Sequence, residues 1–222
     1  MRGVAVGLAA LVFSSCGPWG FRGESLPVDA GCERVADELR GTFAEGIESS
    51  GRATIDVNQY RVRGQYRLTI HANGNVTLEF FGTTALGGHR EDIVLSLHDG
   101  TVHLLDRERG GYYHGTAVDS VAEAGAEMRV DVAAVMSLLA GTPPECARMS
   151  DVNAGPDEIR GRLDARSFRL VSRGGRLVEA RWPAPVSRER MSLVVEYEWE
   201  DGGLSRLTVS VPEMRWRVRL SA

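Results

Sequence analysis

Lysine is absent from the 222-residue chain, and all 26 basic residues are arginine. That usage reads as a high-GC genome and assigns no function by itself. The arginines alternate with apolar residues and do not gather into a basic run, while the formal net charge is −4. A mildly acidic chain of this kind argues against nucleic acid as a partner, because such binding draws its affinity from neutralised phosphates. Catalytic signatures are missing too. No HExxH, GxSxG, P-loop or dinucleotide fingerprint occurs, and the carboxylates Glu79, Asp106 and Glu108 are scattered. No catalytic residue, cofactor or metal is expected, and the chain does not read as an enzyme. His98 and His103 fall diagonally across one predicted hairpin on its polar face, where two solvated imidazoles are the ordinary outcome.

Long apolar runs are lacking as well. Val4 to Phe13 is almost unbroken in small or apolar residues, but a membrane-spanning helix needs about 20. With Arg2 before it and Ser14-Ser15-Cys16 after it, the run has the form of a secretory signal that is removed. Leu11-Val12-Phe13-Ser14-Ser15-Cys16 resembles a lipobox, with Phe13 where leucine is usual. The resemblance implies cleavage after residue 15 and a diacylglycerol anchor on Cys16. Gly17, in place of aspartate, implies an outer-membrane destination with the chain on the periplasmic face. The alternative is an ordinary signal peptide cut near Ser15. Residues 16–31, with Gly and Pro and little periodicity, read as a tether. Residues 32–222 read as one folded domain.

Cysteine is scarce, with three in the chain. With Cys16 acylated, Cys32 and Cys146 remain as an even pair for an oxidising compartment, either bridged or as two free thiols.

Val35, Leu39, Phe43 and Ile47 recur every four residues and predict a helix with one apolar side. From Gly51 to about Thr116 the period switches to two: Leu68 and Ile70, then Val76, Leu78 and Phe80, then Ile93, Leu95 and Leu97. Asp99-Gly100 as a two-residue turn sets Leu97 against Val102 and Leu95 against Leu104. A three-residue loop ending at a left-handed Gly74 sets Ile70 against Val76 and Leu68 against Leu78. Short helices are expected over 119–125 and 131–140. Alternation then resumes from Glu158 to Leu220, where a three-residue loop at Asp201-Gly202-Gly203 sets Tyr197 against Leu207 and Val195 against Val209. The expected fold is mainly β with α: a curved antiparallel half-barrel of about eleven strands, its apolar concave face covered by helices.

Gly64-x-Tyr66-x-Leu68, Leu78-x-Phe80-x-Gly82-Thr83-Thr84-Ala85-Leu86-Gly87 and Val102-x-Leu104-x-Asp106, in this order of elements, resemble the LolA/LolB superfamily of lipoprotein carriers, and most its anchored LolB-like branch. The resemblance implies an apolar cleft that receives acyl chains of lipoproteins or lipids and aids their delivery to the outer membrane, with a periplasmic carrier protein as a possible partner. The inward positions Leu68, Leu78, Phe80, Leu95, Leu97, Leu104, Val195, Tyr197 and Val209 are the cleft candidates; each is equally readable as core. Leu86, in a glycine-bounded loop, is the candidate for contact with membrane or cargo. The competing expectation is a non-enzymatic envelope assembly lipoprotein whose sheet is filled by its own side chains and which works through surface contacts.

Overall fold

The computed structural model describes residues 23–57, 60–83, 89–99, 101–107, 110–115, 139, 146–183 and 191–222. Among these residues fourteen strands form one open, antiparallel sheet. The short β1 (Glu24–Ser25) precedes helix α1 (Val28–Phe43). Six strands follow: β2 (Ile47–Val57), β3 (Tyr60–Ile70), β4 (Val76–Thr83), β5 (His89–His98), β6 (Thr101–Asp106) and β7 (Gly111–Gly115). The second half supplies β8 (Met149–Ala154), β9 (Glu158–Leu163), β10 (Arg166–Arg173), β11 (Arg176–Pro183), β12 (Ser192–Glu200), β13 (Gly203–Val211) and β14 (Trp216–Ser221). In space the order is β1, β8 to β14 in sequence, then β2 to β7. The last strand therefore joins the halves by pairing with β2. A sheet this wide twists and curls rather than lying flat.

Strand pairing follows the alternation. Leu97 faces Val102 and Leu95 faces Leu104 across the Asp99 turn; Ile70 faces Val76 and Leu68 faces Leu78 across the loop ending at Gly74, whose φ is +85°. The 201–203 loop differs. Tyr197 does face Leu207 and Val195 does face Val209, but the turn is the two-residue Asp201-Gly202, with φ of 49° and 84°. The surplus residue sits inside β13, as a bulge opposite Glu198 and Trp199. An Asp-Gly pair favours the tight turn, and the bulge lets both Leu204 and Leu207 turn inward, 5% and 1% exposed.

The fourteen strands among the described residues are three more than the expected eleven, and β1 and β8 account for two of them. In β8 the buried residues Met149 and Val152 stand three apart, because the register slips between Ser150 and Asn153 around Asp151 at φ 51°. A bulge breaks the period of two that would have revealed the strand. Helix α1 starts at Val28, inside the stretch read as tether, and ends before Ile47, which opens β2. Val35, Leu39 and Phe43 are its buried stripe, as the spacing predicts. The expected helices at 119–125 and 131–140 lie outside the described residues apart from Leu139, which is helical and buried.

The core lies on one face of the sheet and joins α1 to both halves. Helix α1 packs on β8 and β11. Thr42 there donates to the Glu38 carbonyl and accepts from the Leu177 amide, both at 3.1 Å, and Ser172 on β10 bonds Glu38. Cys32 on α1 and Cys146, just before β8, are bridged with Cα atoms 5.4 Å apart. Each fully buried Val or Leu on this face contributes about 1.5 to 3 kcal/mol relative to exposure. Strand β8 needs that support, since it presents few apolar residues of its own.

Candidate functional site

The same inner face continues beyond α1 onto β14 and β2 to β6, and there its burial fades in register. The row Ile70, Val76, Leu97 and Val102 runs across four strands and is buried throughout. One pair further along, Leu68 is buried while Leu78, Leu95 and Leu104 are half-buried. In the next row Tyr66 is buried, Phe80 is half-buried and Ile93 is 39% exposed. Apolar side chains thus step outward from packed core to water along three strands.

A second gradient runs across the sheet. Val195 and Val209 are buried, Val218 and Ile55 are half-buried, and Val62 is 51% exposed, each opposite the next through the paired strands β12, β13, β14, β2 and β3. Trp216 lies one pair further along β14 and is half-buried. The two gradients meet around Gly64. A Cβ at Gly64 would stand 2.5 Å from the Phe80 ring and 2.6 Å from the Phe81 carbonyl oxygen, so glycine there lets the ring lie down across β3. Beside it, Tyr66 and Ser49 share a 2.7 Å hydrogen bond, and Ser49 also donates to the Leu204 carbonyl. Burial pushes the Tyr66 phenol up, against the opposing effect of Ser49. The hydroxyl therefore stays protonated and closes the polar side of this corner.

Among the cleft candidates, Leu68, Leu97, Val195, Tyr197 and Val209 are buried within the core. Leu78, Phe80, Leu95 and Leu104 stand on the half-open slope. Sequence reasoning passed over Val62, Ile55, Trp216 and Val218 as part of this surface. Their alternation with arginine was visible, but their adjacency depends on the β14 to β2 pairing, which joins residues more than 150 positions apart. Cys16 and Leu86 lie outside the described residues. On the opposite face His98 and His103 lie diagonally across the hairpin, as the alternation predicts, and His103 stands directly opposite His114 with its Nδ1 sharing a 2.9 Å hydrogen bond with the Tyr112 hydroxyl. Among the described residues no group of three or more His, Cys, Asp or Glu is placed to hold a metal, and no helix is long and apolar enough to cross a membrane.

Comparison of the sequence with protein-family models and with curated proteins finds no match. Among solved structures, the chain is similar to a DUF1329 family protein from Desulfovibrio piger, at 9% identity and a TM-score of 0.46, over 88% of this chain and 90% of that one. Likeness at that level assigns neither family nor activity.

Proposed function

We propose that the chain is a membrane-anchored lipoprotein that takes acyl chains, of lipoproteins or of lipids, on the half-open apolar face of its sheet and aids their delivery to the outer membrane. In this reading the open sheet is a half-barrel of the LolA/LolB kind and Cys16 carries the anchor on the periplasmic side. The observation that carries it is the graded inner face of β14 and β2 to β6, where apolar residues in register pass from fully buried to half exposed. Acyl chains need broad apolar surface and few specific polar contacts, and each buried methylene contributes about 0.8 kcal/mol. A surface that adjoins the core and is not filled by it supplies that contact. The binding of a fluorescent acyl probe tests it: Ile93→Glu, at a position already exposed to water, should abolish binding without lowering the melting temperature appreciably. Unchanged binding in that variant would sink the reading.

The assembly reading draws on a different observation. Val195, Tyr197 and Val209 are fully packed, so the second half of the sheet fills its own interior. A chain that binds no acyl probe at all would favour it.

A further inference from the structure

The arginines scattered along the sequence gather in space. On the outward face of β14, β2 and β3, opposite the apolar slope, the register brings Arg217, Arg219, Arg52, Arg61, Arg63 and Arg67 onto three neighbouring strands. All are exposed. The carboxylates on the same strands and face are Asp56 and Glu48; Asp56 is bonded by Arg61, and Arg67 is ion-paired at 3.3 Å with Glu79 on the adjoining β4. The Arg61 hydrogen bond holds the Asp56 carboxyl below its ordinary range, with Arg217 and Arg219 adding their fields. One carboxylate therefore serves three guanidinium groups. Arg63 stands opposite Thr54 and Arg52 opposite Gln65, neutral residues that offset no charge. In a chain of net charge −4, this is a marked separation of charge onto one surface.

The two faces of these strands are complementary in chemistry. Toward the β2–β3 turn, Val62, 51% exposed, and the half-buried Ile55 and Trp216 stand inward, while Arg61, Arg63 and Arg217 stand outward on adjoining positions. An apolar lip with tryptophan, backed by arginines, matches the order of a bilayer surface, where indole and guanidinium groups sit at headgroup level above the acyl region. Arginine also binds phosphate in a fork that lysine lacks.

We infer that the ends of β14, β2 and β3 nearest the β2–β3 connection dock the protein edge-on against an anionic phospholipid surface, with Arg63, Arg217 and Arg219, on the outward side of that rim, on lipid phosphates and Trp216 and Val62, on its inward side, at the acyl boundary. The docking does not depend on acyl-chain binding by the inner face. Flotation of the full chain carrying Cys16→Ser, so that no acyl anchor contributes, tests it with vesicles of phosphatidylcholine alone and of phosphatidylcholine with phosphatidylglycerol. The chain should float with the anionic vesicles, stay behind with the neutral ones, and be released at about 0.5 M salt, where screening is nearly complete over a few ångströms. Arg63→Glu, Arg217→Glu and Arg219→Glu together should lower anionic-vesicle binding at least about tenfold. The milder triple replacement by Gln should lower it in the same direction and guards against misfolding of the first variant, and Arg40→Glu on the exposed side of α1 should leave it unchanged. Equal flotation with neutral vesicles, insensitivity to salt, or triple variants that bind like the parent would overturn the inference, as would a preference for a DNA oligonucleotide over the anionic vesicles. Loss of vesicle binding with the acyl probe still bound would leave the inner-face reading intact, and the reverse result would separate the two claims in the other direction.

Discussion

Gly51 on β2 lies directly beneath Ser221 on β14: a Cβ at position 51 would stand 2.1 Å from the Ser221 carbonyl oxygen. This contact lies at the joint that makes one sheet of the two halves. Backbone, not a flexible side chain, blocks the space, so the strands must separate to admit a methyl group. Gly51→Ala should destabilise the fold by about 1 to 3 kcal/mol, read as a lower urea midpoint; an unchanged midpoint would mean that the joint is loosely held.

The Cys32–Cys146 bridge closes a sequence separation of 114 and ties α1 to the start of β8. On the chain-entropy account it contributes at most about 4 to 5 kcal/mol. Reduction, or Cys32→Ser with Cys146→Ser, should lower the urea midpoint and expose the β1–β8 edge to proteolysis first. Equal midpoints with and without reductant would contradict this.

Glu158 on β9 accepts from Arg160 at 2.7 Å and also from Arg169 on β10. Burial alone would raise its pKa, but the two guanidinium groups outweigh that and hold the carboxyl below its ordinary value of 4.5. A group with a depressed folded pKa stabilises the fold above its unfolded value and loses that contribution as pH falls through the folded one. The melting temperature of Glu158→Gln should therefore lie below that of the parent near neutrality, with the gap closing as pH drops below 4.5. A constant gap across that range would exclude the ion pairs as its source.

The Tyr197 hydroxyl is buried beside Phe43 and finds no hydrogen-bond partner among the described residues. Desolvation pushes its pKa far up, so the cost is that of an unpaired neutral hydroxyl, about 1 to 3 kcal/mol. Tyr197→Phe should be neutral or stabilising in thermal unfolding, the opposite of the usual core substitution. A clear loss of stability would show that the hydroxyl is satisfied.

Much of the sheet was legible from local pattern. The alternation from Leu68 to Leu104 determines both which residues pair and which face is apolar, because a slip by one residue would turn every side chain over. The helix stripe Val35, Leu39 and Phe43 was readable for the same reason. What escaped was set by bulges or by distance. Asp151 breaks the phase of β8, and the bulge at Glu198 and Trp199 moves the spare residue of the next hairpin out of its turn. The arginine face and the Val62–Ile55–Val218 row exist only once β14 lies against β2, a pairing that no local period announces. The candidate site was accordingly half visible: Leu78, Phe80, Leu95 and Leu104 by alternation, their exposed neighbours only in three dimensions.

Native mass spectrometry with lipid extraction, on the chain carrying Cys16→Ser and purified from a bacterial periplasm, tests the central claim most directly. Acyl species that co-purify with the protein, and are lost in Ile93→Glu, are the predicted result. A protein free of acyl species that also fails to take up an added lipopeptide would contradict it.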